Sequence, residues 1–290
     1  MHRRRAAGLL AAAAWLAGCG STDADHDGPD TPSAAPLPAT PSTAWVFSSG
    51  GPRGFVHVGV LKALAELGVQ ADLIVGASVG ALVGVLWAAG RSAADIEALA
   101  LGVQPWQLAG LGWGGFSALS GAPLARWVRE QAGSTLLQDL RLPVVCVAQR
   151  LDGSGAVGLS RGDLGLAVQA ACAIEGRFAP VRLRGTLHTD ADLHLPLPVR
   201  LARQLGATRV LAVDASAHED RAPEGAQRFR AGDLRKRELT QPDATSADVL
   251  LHPDFGYWVN LSRDFRERCI AAGYRDTLAA ADRIRALHAV

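Results

Sequence analysis

The feature that most constrains this chain is an apolar run containing one serine flanked by glycines. Residues 71–89, ADLIVGASVGALVGVLWAA, predict a short strand, a tight turn and a buried helix, with Gly76-Ala77-Ser78-Val79-Gly80 forming G-x-S-x-G at the turn. In this arrangement the serine hydroxyl is exposed at the N-terminus of the helix, whose dipole favours a developing oxyanion. The pattern predicts Ser78 as a nucleophile, although a plain strand-to-helix turn rich in glycine and alanine also matches it.

A second glycine turn lies one strand and one helix upstream. Residues 44–48 predict a strand, and residues 54–67 predict an amphipathic helix after the sequence Ser49-Gly50-Gly51-Pro52-Arg53-Gly54. Glycines allow the N–H groups of a turn to converge on an anion. A dinucleotide site is disfavoured, because G-x-G-x-x-G would require a glycine at position 49. The turn therefore predicts an oxyanion hole, formed by Gly50, Gly51, Arg53 and Gly54.

Together the two turns resemble the patatin-like phospholipase family, whose motifs are G-G-G-x-R-G, G-x-S-x-G and a distal D-G-G or D-G-A. The similarity covers nearly all of residues 44–280, with Ser49 at the first glycine and Asp190-Ala191-Asp192 at the distal motif. The resemblance implies an α/β fold of three αβα layers with a mainly parallel central sheet. It also implies that Asp190 acts as the base for Ser78 in a Ser-Asp dyad, without a histidine and without a cofactor.

The base and the activity both have alternatives. Asp192 adds a second carboxylate that could raise the pKa of Asp190 or replace it as the base. A Ser-His-Asp triad would fit the chain order with His218 or His252, although neither lies in a motif. The resemblance implies a serine lipid acyl hydrolase (phospholipase, lysophospholipase or esterase) acting on a lipid or acyl ester. The alternative is a catalytically inactive patatin-fold lipoprotein that serves as a membrane-anchored binding or scaffold protein.

The first residues predict an export signal. Residues 1–18 combine a basic start with an apolar run too short to span a bilayer, which is typical of a signal peptide. Leu16-Ala17-Gly18-Cys19 resembles the bacterial lipobox, which implies lipidation of Cys19 and attachment to a membrane of the bacterial cell envelope. By resemblance to known sorting rules, this membrane is expected to be the outer membrane, with the protein facing the periplasm. Residues 19–43 are rich in Pro, Ser, Thr and Asp, so they predict a flexible tether before a hydrolase domain at 44–290.

Composition excludes other classes of function. A net charge of +1 over 290 residues argues against a nucleic-acid surface. Cys146, Cys172 and Cys269 lie in apolar or helical segments with no zinc or redox spacing, so buried thiols are predicted and no metal site. Nothing in the sequence indicates an oligomeric state.

Two further segments carry expectations. Residues 218–245 have mixed charge without periodicity and predict a solvated excursion. Trp106, Trp113 and Phe116 lie among glycines, where they would either cover an acyl-chain pocket or pack as ordinary core aromatics.

Overall fold

Strands and helices alternate along most of the chain from Thr43 onward. The computed structural model describes residues 25–111 and 119–289. Its strands are β1 Thr43–Phe47, β2 Leu73–Ala77, β3 Gly110–Leu111, β4 Leu119–Ser120, β5 Val144–Arg150, β6 Gly155–Leu159, β7 Val181–Leu183, β8 Thr186–Asp190, β9 Arg209–Val213 and β10 Val249–Leu251. Its helices are α1 Phe55–Glu66, α2 Val79–Ala88, α3 Ala93–Gly102, α4 Pro105–Leu108, α5 Ala122–Ala132, α6 Leu164–Ala171, α7 Val199–Gln204, α8 Arg230–Ala244, α9 Arg263–Ala279 and α10 Ala281–His288.

The central sheet is mixed. Its strand order is β10-β9-β1-β2-β5-β8-β7, with β6 also paired to β5. The five strands from β10 to β5 are parallel, whereas β6, β7 and β8 pair in antiparallel fashion. The predicted α/β class is confirmed, and the antiparallel strands are confined to one end of the sheet.

Side chains of β1 show why helices cover both faces. Trp45 and Phe47 belong to a hydrophobic cluster that includes residues of α1, α2 and α9. Ala44 and Val46 point to the opposite face and pack in a second cluster with α7. Because successive side chains of a strand alternate between faces, a strand that is apolar at every position is buried on both sides. The predicted three layers follow from this pattern.

Strand β5 brings distant segments of the chain together at one edge. Its first part pairs with β2, ending at the pair Val147 and Ala77, and the very next residue, Ala148, pairs with Asp190 at the end of β8. The other edge of β5 carries β6, so β2 and β8 lie on the same edge. Strands β2 and β8 therefore meet end to end, and the residue after Ala77 faces the last residue of β8.

The segment 218–245 differs from the predicted excursion, because it contains the 15-residue helix α8. A polar helix gives no apolar period, and α8 is fixed by polar contacts instead. Asp243 is fully buried and accepts hydrogen bonds from the backbone N–H and the guanidinium of Arg200. Tyr257 donates its hydroxyl hydrogen to Asp233 on the same helix. Helix α8 is thus tied to α7 and to the loop after β10.

The two C-terminal helices, α9 and α10, meet at Ala280. Helix α9 runs without interruption from Arg263 to Ala279. A Cβ atom on Gly273 would lie 2.2 Å from the carbonyl oxygen of Val56 on α1. Gly273 therefore permits close contact between two helices and does not end one.

Residues 25–42 differ from the flexible tether that composition predicts for residues 19–43. Backbone hydrogen bonds join His26 to Arg182 and Arg184 at the edge of the sheet, and Ser33 to residues 160 and 161. An edge strand offers unpaired backbone groups that an extended segment satisfies without apolar side chains. The segment is a strap along the domain in its described part.

Several predictions concern residues outside the described ranges. The signal peptide 1–18, the lipidation site Cys19 and the aromatic residues Trp113 and Phe116 all lie there, so these stay predictions. Trp106 is described, and it is 72% exposed, which excludes a core position for it. No helix in residues 25–111 and 119–289 has the length and apolar character needed to cross a bilayer.

Candidate active site

The turn between β2 and α2 holds Ser78 in a strained conformation. Ser78 has φ 52° and ψ −125°, a region that residues other than glycine seldom occupy. A Cβ atom on Gly76 would lie 2.5 Å from the backbone of residues 80 and 81, and one on Gly80 would lie 2.3 Å from the carbonyl oxygen of Phe47. Glycine at both positions is therefore a steric requirement of the turn, as the G-x-S-x-G pattern predicts.

The glycine loop after β1 packs directly on this turn. A Cβ atom on Gly54 would lie 2.2 Å from the side chain of Val79, the residue after the serine. Gly51 has φ +53°, which favours glycine. Gly51, Gly54 and Ser78 line the same cavity. The two turns therefore open toward one point, as the sequence predicts.

The four predicted oxyanion residues differ in what they can donate. Within residues 25–111 and 119–289 the N–H groups of Gly50 and Gly51 have no acceptor. The N–H of Arg53 instead donates to the carbonyl of Gly50 at 3.1 Å, closing the turn. Gly54 has no side chain, and this leaves room for the side chain of Val79. Gly50 and Gly51 therefore have N–H groups available for an anion, and Arg53 does not.

The Arg53 side chain points away from the serine toward the C-terminal part of the chain. Its guanidinium donates to the carbonyl of Tyr257 and lies 5.7 Å from the centres of the Phe255 and Tyr257 rings. Burial lowers the pKa of Arg53, although the charge of Asp233 opposes this shift. Arg53 thus fastens the glycine loop to the loop after β10.

Asp190 is the direct partner of the serine. The Ser78 hydroxyl donates to Oδ2 of Asp190 at 2.6 Å, and Oδ1 of Asp190 accepts the backbone N–H of Asp192 at 2.8 Å. Both side chains are buried, with exposures of 5% and 4%. Burial raises the pKa of Asp190 to about 6, although the hydrogen bond from Ser78 opposes this shift. A carboxylate that titrates near neutral pH and contacts a hydroxyl is suited to accept its proton.

The second carboxylate has a different environment. The Asp192 side chain forms an ion pair with Lys236 of α8. Burial by itself raises the pKa of Asp192, but the charge of Lys236 and hydrogen bonds from Lys236 and Ser49 outweigh it and lower the pKa. Of the two acids, Asp190 accepts the hydrogen bond of the Ser78 hydroxyl, while Asp192 is paired with the ammonium of Lys236.

The histidines proposed for a triad lie elsewhere. His218 and His252 stack on each other with ring centres 3.8 Å apart, and His252 contacts the backbone of Ser216. His57 contacts the carbonyl of Ser48 at 2.9 Å, while its Nδ1 is buried with no partner in the described part of the chain. Burial lowers the pKa of His57 to about 4, so the ring is neutral. None of the three contacts the serine.

Two residues near Ser78 and Asp190 were not singled out from the sequence as site residues. The Cys172 thiol at the end of α6 contacts the Ser78 hydroxyl, and burial raises its pKa, so it remains protonated. Lys236 lies in the segment predicted to be a solvated excursion. The rarity of lysine could have drawn attention to Lys236, because the chain contains only one other lysine, Lys62.

Ser78 lines an apolar cavity of about 430 Å³. Aliphatic and aromatic side chains of α1, α2, α3 and α5 form most of its wall, and these include Val58, Leu82, Leu86, Ile96, Leu99, Leu124 and Trp127. A cavity of this size and character suits a hydrocarbon chain or a comparable apolar group.

The family follows from this arrangement and from comparison with known proteins. The profile described as "Patatin-like phospholipase" matches residues 45–203, more than half of the chain. The chain belongs to the patatin-like phospholipase family. The match includes the glycine loop, the Ser78 turn and Asp190, and it ends before α8. Ala191 stands at a glycine position of the family motif without backbone strain, since only Ser78 and Arg184 among the described non-glycine residues have positive φ.

Patatin-like relatives share this region over part of their length. An uncharacterized NTE family protein of Mycobacterium tuberculosis is 32% identical over 190 residues, which cover 62% of this chain and 51% of that protein. The neuropathy target esterase sws of Drosophila melanogaster is 28% identical over 187 residues, covering 62% of this chain and 13% of that protein. The chain thus spans about half the length, or less, of these two relatives.

A solved structure shows the same patatin-like fold at low sequence identity. VipD from Legionella pneumophila superposes with a TM-score of 0.57 at 13% identity, covering 84% of this chain and 67% of that one. At this identity the likeness shows the fold alone.

Proposed function

We propose that this protein is a serine lipid acyl hydrolase that cleaves a carboxylic ester through a Ser78–Asp190 dyad. The observation that carries the proposal is the 2.6 Å hydrogen bond between the two side chains, of which Ser78 lines an apolar cavity. Membership of a phospholipase family supports a lipid substrate in general. A relative named as an esterase supports ester cleavage.

In the first half of the reaction, Ser78 attacks the ester carbonyl. The serine oxygen forms a bond to the carbonyl carbon while its proton passes to Oδ2 of Asp190. The resulting tetrahedral intermediate then expels the alcohol, which takes the proton from Asp190. An acyl group remains covalently bound to Ser78.

In the second half, water releases the acyl group. Asp190, again ionised, accepts a proton from the attacking water and returns it to the serine oxygen as the acyl bond breaks. A fatty acid leaves and the dyad is restored. No redox step or external reactant other than water is required.

Backbone N–H groups stabilise the oxyanion in both halves. The N–H groups of Gly50 and Gly51 have no acceptor among the described residues, and the N-terminus of α2 adjoins the serine. One well-placed donor to such an oxyanion contributes about 3 kcal/mol. The close contact of Gly54 with Val79 keeps the donor loop against the nucleophile turn.

The cavity wall selects an acyl chain rather than a polar group. Each methylene transferred from water to an apolar site contributes about 0.8 kcal/mol. Because the wall beside Ser78 is formed mainly by side chains such as Leu82, Leu86 and Ile96, the acyl part of the ester lies in the cavity and the alcohol part points outward.

A covalent probe tests the proposal directly. We expect a fluorophosphonate to add once per folded molecule, with the adduct mapped to Ser78 by peptide mass spectrometry, and the same protein to release fatty acid from phospholipid or lysophospholipid micelles. Heat-denatured protein is the matched control and should take no probe. A folded protein with neither adduct nor turnover would instead support an inactive scaffold.

The rate should depend on the ionisation of Asp190. Its pKa is about 6 because of burial, and only the ionised form can accept the serine proton. Therefore kcat/KM is expected to be constant above pH 7 and to fall about tenfold per pH unit well below pH 6. Initial rates on a soluble short-chain ester check this. Undiminished activity at pH 4 would contradict Asp190 as the base.

A further inference from the structure

A single lysine joins the two loops of the active site. Lys236 lies on α8, and its side chain is only 17% exposed. Its ammonium donates to Oγ of Ser49 at 2.8 Å, and it also forms the ion pair with Asp192. Ser49 begins the glycine loop and Asp192 follows the base, so the ammonium lies between the donor loop and the base loop.

Both partners of Lys236 stand where the chain departs from the family motifs. Ser49 occupies the first position of the glycine loop, and Asp192 occupies the last position of the motif that begins at Asp190. Lys236 itself lies beyond the family match at residues 45–203. Two departures within the matched region are therefore joined by one residue outside that region.

The charges explain why the departures belong together. A carboxylate at position 192 adds a negative charge close to Asp190, and like charges disfavour ionisation. The charge of Asp192 raises the pKa of Asp190, whereas the charge of Lys236 lowers it. Asp192 without Lys236 would therefore hold more of Asp190 in the protonated form, which cannot act as a base.

Each element packed around Asp190 contributes a group. Ser78 comes from the nucleophile turn, Cys172 from the end of α6, Asp192 from the loop after β8, and Lys236 from α8. Among these groups in the described residues, Lys236 is the cation. It is also the one that contacts the glycine loop.

We propose that Lys236 is a positioning residue that neutralises Asp192 and ties it to Ser49, so that Asp190 stays ionised beside Ser78 and the donor loop keeps its place. The proposal rests on the proposed hydrolase function. In this account the departures at Ser49 and Asp192 compensate each other and do not mark an inactive site.

Replacing Lys236 with methionine tests the electrostatic part. We expect Lys236→Met to lower kcat about tenfold at pH 6, because Asp192 is no longer neutralised, and the loss to shrink toward pH 9, where Asp190 ionises anyway. KM should stay close to the wild-type value. Lys62→Met is the matched control, since Lys62 pairs with Glu97 on the surface, and it should leave the pH profile unchanged.

Second-site changes separate this role from general destabilisation. Adding Asp192→Asn to Lys236→Met removes both charges and should restore the wild-type acid limb of the pH profile. The triple variant Ser49→Gly, Asp192→Gly, Lys236→Met restores the family's glycines at positions 49 and 192 and should also be active. A Lys236→Met profile that is lowered equally at every pH, or is not rescued by Asp192→Asn, would overturn the proposal.

A direct titration of Asp190 tests the inference without relying on catalytic turnover. With 13C-labelled aspartate, the Asp190 carboxyl signal is assigned by its loss in Asp190→Asn. Its pKa should lie higher in Lys236→Met and lower in Asp192→Asn than in wild type. These shifts are expected even if no ester is hydrolysed, so failure of the proposed function and failure of this inference give different results. An Asp190 pKa that is the same in all three proteins would refute the inference.

Discussion

Ser78→Ala, Asp190→Asn and the double variant are expected to fall to the same residual rate, on the order of 10⁴- to 10⁶-fold below wild type in kcat. The two side chains share one hydrogen bond of 2.6 Å, and in the proposed reaction they act in a single proton transfer. Once either is removed, the other has no partner to act on. The second substitution should therefore add nothing, which is the behaviour of residues that work as a unit.

Steady-state kinetics on a soluble ester give this comparison, with circular dichroism to show that each variant is folded. His218→Ala and His252→Ala are the controls for a triad, and both should keep nearly wild-type kcat because these rings stack on each other away from Ser78. An Asp190→Asn variant with most of its activity, together with an inactive His218→Ala or His252→Ala, would replace the dyad with a triad.

The nucleophile turn could be predicted because its requirements are local. A strained serine between two close-packed glycines leaves a five-residue pattern, and the structure places Ser78, Gly76 and Gly80 as that pattern predicts. Asp190 could be identified only by resemblance. Its place depends on the pairing of Ala148 with β8 directly after β2 ends, and such register is set by tertiary packing rather than by spacing along the chain.

The sequence pattern did not predict helix α8, and the reason is physical. Its stability depends on long-range polar contacts, such as those of Asp243 with Arg200 and of Asp233 with Tyr257. Periodicity detects a helix that buries an apolar stripe, and α8 has none. Lys236 was missed with it, and so was the link between Ser49 and Asp192.

The strap at residues 25–42 was missed for a related reason. Low apolar content shows that a segment cannot build a core by itself. It does not show that the segment lacks a place to pair, because the acceptors and donors it uses are backbone groups. His26 and Ser33 pair with backbone atoms of residues 182, 184, 160 and 161, and these contacts leave no trace in composition.

Gly80→Ala is expected to lower the free energy of unfolding by about 3 kcal/mol and the melting temperature by about 10 °C. The added methyl would lie 2.3 Å from the carbonyl oxygen of Phe47 and 2.7 Å from that of Ser48. These are backbone atoms of β1 and the loop after it, so they cannot rotate away as a side chain would. Relief requires α2 to move away from β1.

Such a shift should also lower kcat by about 10²-fold, because Ser78 immediately precedes α2 and the donor loop follows β1. Denaturant unfolding and ester kinetics measure the two effects. Gly232→Ala is the matched control: it is also a helical glycine, but it has open space around it, and the substitution should stabilise the protein slightly. If Gly80→Ala were as stable and active as Gly232→Ala, the close contact of α2 with β1 would not hold the nucleophile beside its oxyanion donors.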